Sequence, residues 1–394
     1  MLNRRTLRIK AMQSLFAYDQ CRESNKNLAK ELIDDAFKPD LNSMQPQDRV
    51  QLKADCKIAK QLFEKNHDLQ QLLLEDAKTP EIRTAVIDAL NYYHKQNKKD
   101  LEYLRHNMLS AAENIPSLYM KVLLLLAEFA EMVYEENEKR LKGSRIQSTA
   151  EPISLNLHQN KIVHFINNSR SLKAEMVRRN ISWADDRDLV KSWYKDYVKT
   201  DEAFLTYARL DAPTFEQDQE IAIHLVKKII FKVDAIMDYF QSMDINWAEN
   251  KSITKSLAAN IIKWYAPDID PDDFELPEIS QNWEEDKQFF EDIFDETVKN
   301  RLINKALISP KTKNWDFDRI ASTDRIILDM ALTEMQFFHS IPVKVTINEY
   351  IELSKNYSTP KSKQFINGLL DVLSAELDKA GKIRKSGRGL LDNK

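Results

Sequence analysis

Seven histidines, two cysteines and sixty-two Asp and Glu residues are the side chains from which this 394-residue chain could build an active site or a metal centre. Their spacing argues against both. No His-Glu-x-x-His string occurs, and His158 and His164 stand six apart, which does not stack two ligands on one helical turn. Cys21 and Cys56 have the spacing of neither a zinc site nor a disulfide framework, and inert thiols are the expectation for both. Acid pairs such as Asp34-Asp35 and Asp272-Asp273 read as solvated or capping residues. With five glycines, only two of them before residue 380, neither a G-x-G-x-x-G fingerprint nor a P-loop can form. No catalytic residue, metal or cofactor is therefore expected.

Rings and cations offer a different chemistry. On a helix over residues 4–22, Leu7, Ala11, Leu15 and Tyr18 stack on one face, the face expected to be buried. Arg5, Met12 and Phe16 lie roughly 100° or more from much of that stripe. Phe16 and Arg5 fall nearly in line along the axis, with Gln13 beside them. A ring next to a guanidinium can hold single-stranded RNA by base stacking and phosphate contact. The competing reading has Ile9, Met12 and Phe16 packing on a second helix, and periodicity alone favours it. Charge placement bears on the choice. Residues 1–10 carry Arg4, Arg5, Arg8 and Lys10 with no acid, and residues 379–394 carry six cations against Asp392. Without these ends the chain has 48 basic and 61 acidic residues, a net of −13, although the whole is only −4. Cationic ends on an anionic body suit a polyanionic partner.

The elements that position these residues read as helices throughout, because apolar residues recur at helical spacing and prolines fall between the periodic stretches. Helices are predicted over 4–22, 26–37, 48–76, 81–113, 117–142, 160–180, 186–209, 215–242, 250–264, 281–308, 317–338, 343–356 and 361–379. Thr79-Pro80 and Thr359-Pro360 each place a Thr cap before a first-turn proline, and Thr214 with Gln217 has capping-box spacing. The polar, aperiodic stretch 143–157 predicts a linker, and Pro267–Pro277 a proline-punctuated loop. An offset of 68 residues aligns Phe215-Glu216-x-Asp218 with Trp283-Glu284-x-Asp286, and Asn246-Trp247 with Asn314-Trp315. This is either a partial repeat or the ordinary likeness of amphipathic helices. The most apolar run, Val122 to Ala130, contains Glu128 and is too short to span a bilayer. With no signal-like N-terminus, the expected place is the cytoplasm.

The C-terminal stretch is recognisable. It contains Asn314-Trp315-Asp316-Phe317-Asp318-Arg319-Ile320, Asp324-Arg325, Ala331-x-x-Glu334, Ile347-Asn348-Glu349-x-Ile351-Glu352-Leu353-x-Lys355 and Phe365-Ile366-Asn367-Gly368-Leu369-Leu370-Asp371. These strings resemble the bacterial NusB family of transcription antitermination factors. Arg4-Arg5-x-x-Arg8-x-x-Ala11-x-Gln13-x-Leu15-Phe16 resembles that family's arginine-rich first helix. The resemblance covers residues 1–22 and 285–379. It implies an all-α fold, a pair of three-helix bundles, with an additional helical region here. It also implies binding to the boxA element of nascent ribosomal RNA leaders together with the ribosomal protein called NusE, within the RNA polymerase antitermination complex. The positions matching the family's RNA contacts are Arg4, Arg5, Arg8, Gln13, Phe16, Tyr18 and Phe365.

Lys361 and Lys363 join them on physical grounds, since cations in the first turn of the last helix are unfavourable unless an anion binds there. Lys361 stands where the family usually has an acid. Asp324 matches a family acid at the protein–protein surface, and a first-turn acid serving its own helix dipole is the competing reading. Gly368 is expected to mark a close helix–helix approach. The expected organisation is a first helix at 1–22, an insertion at 23–142, the linker at 143–157, a helical region at 158–280, a NusB-like RNA-binding domain at 281–380 and a basic tail at 381–394. The alternatives are an accessory module of ribosomal RNA modification, resembling the N-terminal part of certain cytosine methyltransferases, and a helical scaffold without RNA binding.

Overall fold

Scarce glycine and persistent apolar periodicity produce helices, and the computed structural model has fifteen of them among its described residues, 2–40, 47–69, 73–143, 154–311 and 320–391. They are α1 (Arg4–Ala36), α2 (Arg49–Asn66), α3 (Pro80–Glu113), α4 (Ile115–Gly143), α5 (Lys161–Asn168), α6 (Arg170–Arg178), α7 (Arg187–Trp193) and α8 (Glu202–Ala208). The others are α9 (Phe215–His224), α10 (Asp234–Met243), α11 (Trp247–Trp264), α12 (Trp283–Ile308), α13 (Ser322–Phe337), α14 (Val343–Tyr357) and α15 (Ser362–Lys379). No strand is present among the described residues, so the all-α expectation holds.

Local signals set the boundaries where they are strong. Thr79 Oγ1 accepts from Ile82 N–H at the start of α3, and Thr214 with Gln217 closes a full capping box on α9. Thr359 does not cap α15 in this way; the helix starts at Ser362, and the Thr359 hydroxyl meets the Ser362 hydroxyl at 2.8 Å. The helix expected over 160–180 breaks at Ser169, which caps α6. Those over 186–209 and 215–242 are each interrupted by a π-helical turn, at Tyr194–Val198 and Leu225–Ile230. The two expected at 4–22 and 26–37 are one continuous α1.

The chain divides into two compact units that do not follow the expected boundaries: residues 1–6 with 110–286, and residues 7–109 with 287–394. Residues 23–109 thus share a compact unit with the C-terminal helices. In the first unit α4 is central, packing on α5, α6, α7 and α11. The apolar run seen in sequence is its core, with Val122, Leu123, Leu125, Leu126, Phe129 and Ala130 buried. No described helix is long and apolar enough to cross a membrane. In the second unit α13, α14 and α15 pack pairwise as a three-helix bundle. A further core there joins Ala29 and Ile33 of α1 to Leu62 and Phe63 of α2 and Val86 and Leu90 of α3.

The 68-residue likeness is visible as two helix starts, α9 at Phe215 and α12 at Trp283. They then diverge, since α9 ends at His224 and α12 runs to Ile308; Asn314-Trp315 lies outside the described residues, as does most of the expected linker.

Candidate nucleic-acid interface

The buried sector of α1 is wider than the predicted stripe. Besides Leu7, Ala11, Leu15 and Tyr18 it takes in Arg8, Lys10 and Met12. Arg5 stays exposed, Gln13 is half-buried, and Phe16 is 38% exposed. The line of Arg5 and Phe16 therefore does reach the surface. Tyr18 does not: it is 7% exposed, and burial pushes its phenol up. Arg4 is committed elsewhere, with its Nε 2.9 Å from Asp286 and a second ion pair to Glu285, both first-turn acids of α12.

Arg8 departs furthest from the expected phosphate contact. Only 3% exposed, it grips Glu334 of α13 in a fork, Nε to Oε2 at 2.7 Å and a terminal nitrogen to Oε1 at 2.8 Å. Thr346 and Tyr350 of α14 donate to the same carboxylate at 2.8 and 3.1 Å, and the guanidinium lies 5.1 Å from the centre of the Phe289 ring. Burial alone would drive the Arg8 pKa down, but the Glu334 charge and hydrogen bonds raise it above the ordinary arginine value. A bidentate, ring-flanked ion pair whose carboxylate accepts two further hydroxyls is what lets two charges persist inside a core. Arg8 thus ties α1 to α13 and α14, and it is not available to RNA. Glu334 could have been anticipated: it stands three residues after Ala331 and seven after Ile327, on the apolar stripe of its own helix.

A second buried acid is Asp324, 5% exposed and so not on a protein surface. Ser362 donates to its Oδ2 at 2.7 Å and Ser358 donates to Oδ1, so the first turn of α13 holds the segment that leads into α15. That segment presents Lys361 and Lys363. In the burial pattern Lys361 and Lys363 are exposed, and Phe365 after them is half-buried. Gly368, one turn on, serves no close approach: it is exposed, and a Cβ there would meet nothing within 4 Å.

The basic tail is anchored through Lys385, Ser386 and buried Gly389, while Lys382, Arg384 and Arg388 stay exposed. Gly381, at φ +64°, ends α15, with Lys382 N–H donating to the Leu377 carbonyl. Lys385 then donates to the Phe338 carbonyl at 2.9 Å, at the C-terminus of α13, and burial brings its pKa down to about 8. Neither cysteine is activated. Burial pushes both thiols up, and Cys56 also faces Asp34.

Fold and site first define a class: an all-α bundle protein, helical throughout its described residues, with Arg5 and Phe16 exposed on its first helix. The NusB family model matches residues 216–375. Among curated relatives, transcription antitermination protein NusB of Salinibacter ruber is 41% identical over 105 residues, 27% of this chain and 66% of the relative. That of Chloroherpeton thalassium is 39% identical over 106 residues, 27% of this chain and 50% of the relative. That of Natranaerobius thermophilus is 39% identical over 93 residues, 24% of this chain and 67% of the relative. The chain belongs to the NusB family. It spans between half and about two thirds of the length of these relatives. The family match also begins well before residue 281, where the sequence pattern alone placed the domain. No solved structure matches the chain.

Proposed function

We propose that the protein is a non-enzymatic, RNA-binding transcription antitermination factor. Its target is a boxA-type single strand in nascent ribosomal RNA leaders, bound jointly with the ribosomal protein NusE in the RNA polymerase antitermination complex. The curated relatives carry antitermination in their names, and one observation in this chain supports RNA binding: over residues 4–18 of α1, Arg5 and Phe16 are the two that stay exposed beside a buried stripe. A large exposed ring in line with an arginine has no packing purpose on its own helix and fits base stacking beside a phosphate. Lys361, Lys363 and Phe365 form the second element of the RNA face, held by Asp324 through the serines. Gln13 lies beside the first. Arg8, Tyr18 and Asp324 act from behind as positioning residues, and Arg4 is occupied by acids.

Phe16→Ala and Phe365→Ala test the assignment. Each is expected to weaken binding of a boxA-type RNA by about 1–3 kcal/mol. The melting temperature of Phe16→Ala should stay near that of the parent. A drop in melting temperature with full RNA affinity would return Phe16 to the core and remove the reading.

A further inference from the structure

The π-helical turn Leu225–Ile230 packs on α11, and its buried side chains are Leu225, Val226, Ile229 and Ile230. That arrangement leaves Lys228 exposed and Lys227 half-buried, with exposed Lys232 following in the connection to α10. From α11, Lys251 and Lys255 are one turn apart and share a face. None of the five makes an ion pair with a carboxylate among the described residues. Some lysines elsewhere in the chain are matched, Lys26 and Lys30 with Glu64, Lys60 with Asp34 and Lys199 with Glu136.

Partial burial lowers the Lys255 pKa, and the charges of Lys232, Lys227, Lys228 and Lys251 lower it further. Lys255, on the helix α11 that packs against the π-helical turn, thus lies within reach of the charge of the other four. A chain with more acids than bases has the means to neutralise such a face and does not do so here. Like charges left together on a folded surface are relieved when a polyanion binds.

From this face we infer a second RNA-binding surface, on α11 and the π-helical turn before α10, that takes the phosphate backbone without reading bases. This rests on the RNA-binding reading above and adds to it a contact for RNA outside the recognised element. Lysine suits such a contact, because its ammonium is a compact point charge on a flexible stem, without the planar fork that reads guanine or grips a carboxylate. No aromatic residue belongs to the turn itself, so stacking is not part of the contact.

The test uses the full chain with Lys228, Lys232 and Lys251 changed together to Gln. Its probe is a 40-nucleotide oligouridylate, which lacks any boxA-type sequence. Affinity is measured across a salt series. The log–log salt slope should fall by about 2, from roughly 0.7 for each lost phosphate contact on a single strand. The melting temperature should hold or rise slightly, because repulsion has been removed. An unchanged slope overturns the proposal. So does an unchanged slope accompanied by lost binding to phosphatidylglycerol vesicles, which would assign the face to a lipid surface. Discrimination between boxA-type and scrambled RNA depends on α1 and α15, so its failure would be distinguishable from either result.

Discussion

Arg5 and Arg8 are three residues apart on one helix and differ in burial. One lies exposed at the surface; the other ends on Glu334 inside the core. Arg8→Ala should therefore destabilise the fold by about 3–5 kcal/mol, because it strands a buried carboxylate. Arg5→Ala should leave stability within about 0.5 kcal/mol and reduce the salt slope of RNA binding by about 0.7. Denaturant melts beside salt-dependent titrations separate them. A mild Arg8→Ala with a reduced slope would restore it to the RNA face. Asp329 makes a pH prediction. Burial pushes its carboxyl up to about 7, with Arg301 pulling the other way. Folding thus retains a proton between about pH 4 and 7 that the unfolded chain releases, and stability falls as pH rises through that window. Asp329→Asn should remove this fall, melting higher than the parent at pH 8 and about equally at pH 4. Equal melting at both values would contradict the assignment. Gly368→Ala, on an exposed helical face with open space around it, should stabilise by up to about 1 kcal/mol.

α15 depends on α13 for its starting point, and this is where an element rather than a side chain carries function. Asp324→Ala removes the acceptor of two hydroxyls and should lower stability by about 1–3 kcal/mol. It should also weaken RNA binding by loosening the segment that presents Lys361, Lys363 and Phe365, while Asp324→Asn, which still accepts, recovers part of both. Loss of NusE binding alone, with RNA affinity and melting intact, would instead restore Asp324 to a partner surface. Helix starts at Pro80, Phe215 and Val343 were legible in the sequence, since caps, prolines and apolar spacing are local. The π-helical turn at Leu225–Ile230 was not. Its pattern is the same to first order as an α-helix, and tertiary packing of its four buried residues selects the wider turn. The line of Arg5 and Phe16 was legible as well, because two positions eleven residues apart align on any helix. The fate of Arg8 was not, because its partner lies 326 residues further along the chain.

For the whole molecule, the cationic ends that look in sequence like loose polyanion-binding tails are partly built into the fold. Arg4 and Arg8 are engaged by acids, and Lys385 sits on the end of α13. Outward remain Arg5 and Phe16 on α1, Lys361 and Lys363 before a half-buried Phe365 on α15, the tail cations Lys382, Arg384 and Arg388, and the lysines of the Leu225–Ile230 turn. Charge on these surfaces attracts any nucleic acid, so choice of one RNA has to come from the proposed base contacts of Phe16 and Phe365. Sequence discrimination is therefore the central claim, and titration of the full chain with a boxA-type RNA and a scrambled RNA of equal length and composition tests it most directly. At the same salt concentration the boxA-type strand should bind at least tenfold more tightly. Equal affinity for the two would contradict the account, leaving a helical protein that holds RNA by charge and does not read it.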